Sequence, residues 1–158
     1  MQPMTPDEAR QVLKEAVAAL SLGLPGEAAW WRYREGEARM ALGQWEAAIG
    51  AFRAAFDLYP PGASRERAEV LGRLGRSRHL LGDSGGEGDL REAVRLDPHR
   101  AQLHADLGDC LLARKAWAPA AGAYARALEL EPGNADYAAA RERALAIAEK
   151  LAKGPPAP

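Results

Sequence analysis

Three histidines (His79, His99 and His104) and one cysteine (Cys110) are the chain's whole supply of imidazole and thiol. Metal binding would need such groups at ligand spacing, backed by further thiolates or paired carboxylates, and the three histidines keep no such spacing. A single cysteine excludes both an internal disulfide and a thiolate cage, and reads as a buried structural thiol. Asp106 and Asp109 share a helix face near His104, as an acid pair for hydrolysis would. Solvated helix carboxylates produce the same pattern far more often, and His104 reads as a packing or exposed ring. Ser21, Ser64, Ser77 and Ser84 lack the strand–turn–helix setting that exposes a nucleophile. Residues Gly82 to Gly88 hold four glycines in seven positions, but neither the lysine nor the threonine of a phosphate cradle follows them. The residues thus point to no enzyme, no cofactor and no metal.

Composition says what kind of scaffold carries these groups. The 158 residues are 47% hydrophobic and 27% charged, with a net charge of −1 and only two phenylalanines. The apolar share is mostly Ala and Leu, which lose little entropy in a helix, so an all-helical domain is expected. A near-zero net charge provides no long-range field for nucleic acid or an anionic membrane. No apolar run approaches the ~20 residues that span a bilayer, and residues Met1 to Asp7 lack the basic start and apolar stretch of a signal peptide. A cytoplasmic location follows as the expectation.

The elements repeat. From Gly36, Ala48 stands at +12, Phe52 at +16, Ala55 at +19 and Pro60 at +24; from Gly108, Ala120, Tyr124, Ala127 and Pro132 fall at the same offsets. A third copy starts at Gly75, with Leu90, Ala93 and Pro98 each one place early. The glycines are expected where paired helices cross most closely, with Ala48 and Ala120 opposite them. The prolines stop the second helices, and Gly43 and Gly82 serve as left-handed caps of the first. Thr5-Pro6-Asp7-Glu8 has the form of a capping box, and Asn134 can cap the last helix.

Pro98 and Pro132 are 34 residues apart, and this period with its small–aromatic–small–proline order resembles the tetratricopeptide family over about two thirds of the chain. The resemblance implies an all-α fold of about eight helices, a right-handed superhelical stack of antiparallel helix pairs in a single domain. The expected map is an N-terminal helix at 5–22, repeats at 28–60, 67–98 (its second helix frayed) and 101–134, a capping helix at 135–152 and a disordered tail at 153–158. In finer terms the helix pairs are 28–42 with 45–59, 67–81 with 87–96, and 101–114 with 117–130. Val12, Leu13, Ala16, Val17 and Leu20 are expected to cover one end of the stack, and Tyr137, Leu145, Ile147 and Leu151 the other. The first helix of repeat one departs from the pattern: Arg32, Glu35 and Arg39 stand at positions usually apolar. Either that helix is rotated, or the N-terminal helix packs on it in a different way.

In that family the first helices of successive pairs line a concave surface, and the resemblance directs the search for a binding site there. The candidates are Trp30, Tyr33, Arg34, Glu37 and Met40 from repeat one, Glu69, Arg73, Arg76 and His79 from repeat two, and Gln102, Asp106, Asp109 and Leu112 from repeat three. They grade from aromatic through basic to acidic. The Lys/Asn/Arg clamp with which some members grip a C-terminal carboxylate is absent, because Tyr33, Glu37, Arg73, Gln102 and Asp106 occupy its slots. The resemblance implies a scaffold or adaptor that holds a peptide or protein segment of mixed charge. A self-associating structural subunit (a homo-oligomer), or a dedicated chaperone for a secreted or membrane-assembling protein, is the alternative. RNA binding would need a basic groove with stacking aromatics, and no nucleic acid or membrane partner is expected.

Overall fold

Helix α1 (Pro6–Leu22) begins as its sequence dictates. The Thr5 hydroxyl accepts from the Glu8 amide at 3.3 Å while the Glu8 carboxylate accepts from the Thr5 amide at 2.7 Å, and Pro6 takes the first helical place, where a missing N–H costs nothing. In the computed structural model, which describes residues 4–23 and 26–153, seven more helices follow. They are α2 (Ala28–Ala41), α3 (Trp45–Leu58), α4 (Ser64–Leu81), α5 (Gly86–Leu96), α6 (Ala101–Ala113), α7 (Trp117–Leu130) and α8 (Ala135–Ala152). The described residues form no strand. None of their helices is long and apolar enough to cross a membrane. The tail expected at 153–158 lies, beyond Lys153, outside the described residues.

The helices fall into two compact units, one ending at Leu96 and the other starting at Asp97. In the first, each of α1 to α4 packs on the next and α2 also touches α4; in the second, α6 packs on α7 and α7 on α8. What lets paired helices approach is a missing side chain. A Cβ on Gly36 would stand 2.5 Å from the Phe52 ring, one on Gly108 2.8 Å from the Tyr124 ring, and one on Gly75 2.7 Å from Leu90 Cγ. The large side chain against each glycine is therefore the residue at +16, or at +15 in the shortened second repeat. Ala48 and Ala120, expected opposite the glycines, are fully buried.

The glycine-rich stretch of repeat two has a mechanical reason. A Cβ on Gly75 would lie 2.8 Å from the Gly86 carbonyl oxygen, and one on Gly86 2.6 Å from the Gly75 carbonyl oxygen. Two backbones meet here with no side chain on either side, so α5 starts at Gly86 itself. The Asp83 carboxylate accepts from the Gly85 amide at 2.9 Å and shapes the entry. Arg78 ties the pair together from outside, its Nη1 2.6 Å from Asp89 Oδ2. Burial raises the Asp89 pKa, and the Arg78 charge and hydrogen bond oppose that rise.

Helix α4 starts three residues earlier than expected, so the extra residues after Pro60 are taken up as helix. Arg67 in its first turn donates to the Tyr59 carbonyl at 3.0 Å and stacks 3.8 Å over the Phe56 ring, which ties the end of α3 to α4. In α2 the helix is not rotated, since Gly36 faces Phe52 as Gly108 faces Tyr124. The polar residues are instead satisfied among themselves: Glu35, 7% exposed, accepts from Arg32 at 2.7 Å and from Arg39 at 2.8 Å.

The two end helices differ from expectation. In α1, Ala9, Val12 and Ala16 are buried whereas Val17 is 64% exposed. In α8, Ala140 and Ala144 supply the buried face, with Tyr137 and Leu145 half-buried, and Ile147 and Leu151 stand out in solvent. Small residues take the buried places because they permit the closest helix approach.

Gly108→Ala is expected to lower stability by about 1–3 kcal/mol, because the buried Tyr124 ring cannot move aside freely. Gly122→Ala, in the interior of α7 and with nothing within 4 Å of the added Cβ, is expected to raise stability by about 0.5–1 kcal/mol. Urea titrations of the two variants should move in opposite directions. Lys115 holds the left-handed conformation (φ 59°) at the place where repeats one and two carry Gly43 and Gly82. Lys115→Gly is therefore expected to raise the thermal midpoint, by relieving about 1 kcal/mol of backbone strain.

Candidate functional site

The α2 face of the candidate site follows from helical spacing. Trp30, Tyr33, Arg34 and Glu37 stand at i, i+3, i+4 and i+7, and Glu69, Arg73 and Arg76 on α4 repeat the i, i+4, i+7 pattern. Tyr33 is held from beneath by Phe52, the ring centroids 5.9 Å apart and tilted. Phe52 in turn occupies the space that Gly36 leaves open, so the bare helix crossing sets the position of the tyrosine.

The Tyr33 hydroxyl lies 2.8 Å from Glu69 Oε1 and 3.0 Å from Glu37 Oε1. One hydroxyl proton serves one carboxylate at a time, while its oxygen accepts from Arg73, whose hydrogen bond opposes the rise in the Tyr33 pKa. Burial dominates that rise, with Glu37 and Glu69 adding to it, so Tyr33 stays a neutral donor far into alkali. Arg34 pairs with Glu37 at 3.0 Å, and Arg73 reaches the same carboxylate at 3.6 Å. The Arg34 guanidinium also lies 5.8 Å from the Trp30 ring centroid. Trp30 meets Trp31 edge to face at 4.5 Å, and Trp31 Nε1 donates to Glu27 at 3.3 Å.

The structure thus brings Trp30, Tyr33, Arg34, Glu37, Glu69 and Arg73 into one connected cluster in the first unit. Trp30 remains 48% exposed at its edge. Met40, Arg76 and His79 lie half-buried on the same two helices. Gln102, Asp106 and Asp109 belong to the second unit, on α6. The Gln102 amide donates to Asp106 at 2.9 Å, and Tyr137 on α8 donates to Gln102 at 3.3 Å. Asp109 accepts from the Tyr124 hydroxyl at 2.5 Å. Leu112 is half-buried on the same helix.

The groups that first suggested chemistry are engaged in structure. His104 is buried, with Nε2 2.9 Å from the Pro98 carbonyl oxygen, so that nitrogen carries the proton and donates. Cys110 is a buried thiol. Asp106 and Asp109 hold Gln102 and Tyr124. Among the described residues, no group of three or more His, Cys, Asp or Glu side chains is arranged to hold a metal ion. The arrangement can pack an apolar group against Trp30 and exchange hydrogen bonds with a polar segment. Sequence reasoning did not find Gly86 or the buried role of Glu35. A one-place shift of the repeat offsets puts Gly86 opposite Gly75 and was the available signal for the first.

No family model and no curated protein matches the sequence. Solved structures do match. The tetratricopeptide domain of Sgt2 from Aspergillus fumigatus superposes with a TM-score of 0.74 at 20% identity, covering 85% of this chain and 89% of that one. The first tetratricopeptide domain of Spaghetti (RPAP3), bound to the HSP90 peptide SRMEEVD, gives 0.71 at 20% identity, covering 82% and 97%. YrrB, a tetratricopeptide protein with an unusual peptide-binding site, gives 0.71 at 22% identity, covering 90% and 71%. By fold, this chain is of the tetratricopeptide type.

All four tyrosines have pKa values raised above 10.0, with burial as the first cause of each. A raised folded value means the neutral ring is favoured in the fold. Its contribution to stability is complete below the unfolded value and is lost as pH rises through the folded one. The shift is largest at Tyr33 and Tyr124, so absorbance titration near the phenolate band should show these two ionising well above the ordinary value of about 10, in a step that coincides with loss of helical ellipticity. Ordinary titration of both in a folded chain would contradict this reading.

Proposed function

We propose that this chain is a non-enzymatic protein-interaction module that holds a peptide or protein segment of mixed charge on its α2/α4 face, as a scaffold or adaptor. The observation that carries the reading is Trp30, a half-exposed indole beside Trp31 and Arg34. It adjoins a polar cluster whose members alternate in charge: Arg34, Glu37, Arg73 and Glu69. Trp, Tyr and Arg are the residue types that most often dominate binding energy, especially where a rim of other groups excludes water. Two of the proteins that share the fold are a domain bound to a peptide and one with a peptide-binding site, which supports the same use of the fold here.

The chemistry argues for a particular kind of segment. A strongly acidic peptide would meet Glu37 and Glu69, and a strongly basic one would meet Arg34 and Arg73. A segment carrying one apolar anchor and charges of both signs can seat its anchor at Trp30 and exchange the existing ion pairs for its own. The exchange is close to even in energy, since each half-buried ion pair given up is replaced by one of the same kind in the same setting. Affinity then depends on the aromatic anchor.

The test is to select peptides by display against the whole chain and measure them by calorimetry. A dissociation constant on the order of micromolar, about −8 kcal/mol, is expected. Trp30→Ala should weaken binding by about tenfold or more, the scale of a hot-spot residue, with the far-ultraviolet ellipticity unchanged because the ring is half in water. Arg73→Glu/Arg76→Glu should change the affinity of the same peptides. Binding untouched by both variants would remove this face from the site.

A further inference from the structure

Many arginines of this chain pair with an acid three or four residues away, and two cations toward the end of α8 have none at that spacing. Arg10 pairs with Asp7, Arg32 and Arg39 with Glu35, Arg34 with Glu37, Arg91 with Glu87, Arg95 with Glu92, Arg100 with Asp97 and Arg126 with Glu129. Each pair spans three or four residues, the spacing that brings side chains together on a helix. On α8, Arg143 has Ala139, Ala140, Ala146 and Ile147 at those places, and Lys150 has Ala146, Ile147 and Lys153 before and after it. Neither cation can find an acid along its own helix. Arg143 instead donates from Nε to the Ala139 carbonyl at 3.3 Å, and Lys150 is exposed.

Two apolar side chains stand beside these two cations. Ile147 is 38% and Leu151 64% exposed. They are four residues apart, and they prolong the row that Ala140 and Ala144 bury against the rest of the second unit. Arg143, Ile147, Lys150 and Leu151 fall at i, i+4, i+7 and i+8, so they form one continuous stripe of alternating apolar and basic groups. Glu142 and Glu149 lie on the other side of the cationic row and leave the stripe itself uniformly positive.

We propose that the last three turns of α8 form a second docking surface, distinct from the α2/α4 face, for an acidic amphipathic helix of a partner protein. Ile147 and Leu151 would cover apolar residues at helical spacing on that partner. Arg143 and Lys150 would take the carboxylates that their own helix does not provide. A second copy of this chain is the poorer occupant, because α8 against α8 sets the two cationic rows face to face. An anionic membrane is also poorer, because the stripe offers two apolar side chains and no aromatic ring at the interface.

The probe is a synthetic helical peptide of about 18 residues, five turns, with leucines at i, i+4 and i+7 and glutamates flanking them. Its fluorescence anisotropy is followed against the full chain. Binding is expected to exceed that of a scrambled sequence, and to weaken several-fold between about 50 and about 300 mM salt, as the screening length falls. Arg143→Glu/Lys150→Glu should weaken it by about tenfold or more, and a peptide with lysines in place of its glutamates should bind this variant in preference to the wild type. Both positions are exposed, so ellipticity and thermal midpoint report that the variant is folded. Trp30→Ala should leave this binding unchanged, which separates the two surfaces. No preference over the scrambled peptide, or no effect of charge reversal, would overturn the proposal. So would concentration-dependent self-association abolished by Leu151→Glu, or co-sedimentation with phosphatidylglycerol vesicles that exceeds peptide binding.

Discussion

The structure depends on contact between a bare stretch of helix backbone and a large side chain of the next helix. At Gly36 and Gly108 the opposing group is an aromatic ring, and at Gly75 it is Leu90 together with the Gly86 backbone. A chain this rich in alanine has few bulky groups with which to fill space, so its helices must come close for the core to be dry. Closeness puts the few large residues, Phe52, Leu90 and Tyr124, almost wholly out of water. It also sets what those residues can support above them. The Tyr33 ring rests on Phe52, and the Tyr124 hydroxyl reaches Asp109. The polar groups on the first helices are therefore positioned from below by the packing.

Polar groups on so thin a core need partners, and nearly all of those described find them within three or four residues or on the adjoining helix. Glu35 shows how far this goes. Its carboxylate is nearly buried, at a position where repeats of this kind usually place an apolar side chain, and two guanidiniums close over it. A buried carboxylate paired in this way contributes little net stability compared with an apolar replacement, but loss of both partly exposed guanidiniums would leave it an uncompensated charge. The acids of α6 are engaged in the same way: Asp106 accepts from the Gln102 amide and Asp109 from the Tyr124 hydroxyl.

Much of this was legible in the sequence, because the repeat offsets encode contacts directly. Gly36 with Phe52 and Gly108 with Tyr124 are one contact written twice, and the capping box, Asn134, Gly43 and Gly82 each carry a local signal strong enough to stand alone. The misreadings share a cause: they concern what a residue faces rather than which element it joins. Ala48 and Ala120 were expected opposite the glycines because small residues suit a crossing, and both are fully buried, while Gly86 at the same place in repeat two meets Gly75 directly; what was left out is the ring or leucine from one turn further on that also fills the space. Ile147 and Leu151 were expected to be covered because they are apolar, while the burial went to Ala140 and Ala144. The early start of α4 depends on Arg67 gripping the end of α3, a contact between elements that no local pattern announces. For the candidate site, spacing put Trp30, Tyr33, Arg34 and Glu37 on one face, but their linkage to Glu69 and Arg73 depends on how α2 and α4 touch.

The distribution of charge partners separates the two faces of interest by kind. On α2 and α4 the charges are already neutralised in pairs, so a ligand there replaces contacts of similar strength and little net electrostatic energy is available. Discrimination must then come from shape and from the aromatic edge at Trp30, which tolerates many sequences and favours none by charge alone. Along the end of α8 the cations lack acids at helical spacing, and a carboxylate brought from outside would replace no ion pair along that helix, only contacts such as the Arg143 hydrogen bond to the Ala139 carbonyl. The first arrangement suits a surface that accepts related segments with modest affinity. The second suits one that chooses partners by charge and releases them as salt rises. A single small fold can present both, because its core fixes only the inward row of each helix and leaves the outward rows free to differ.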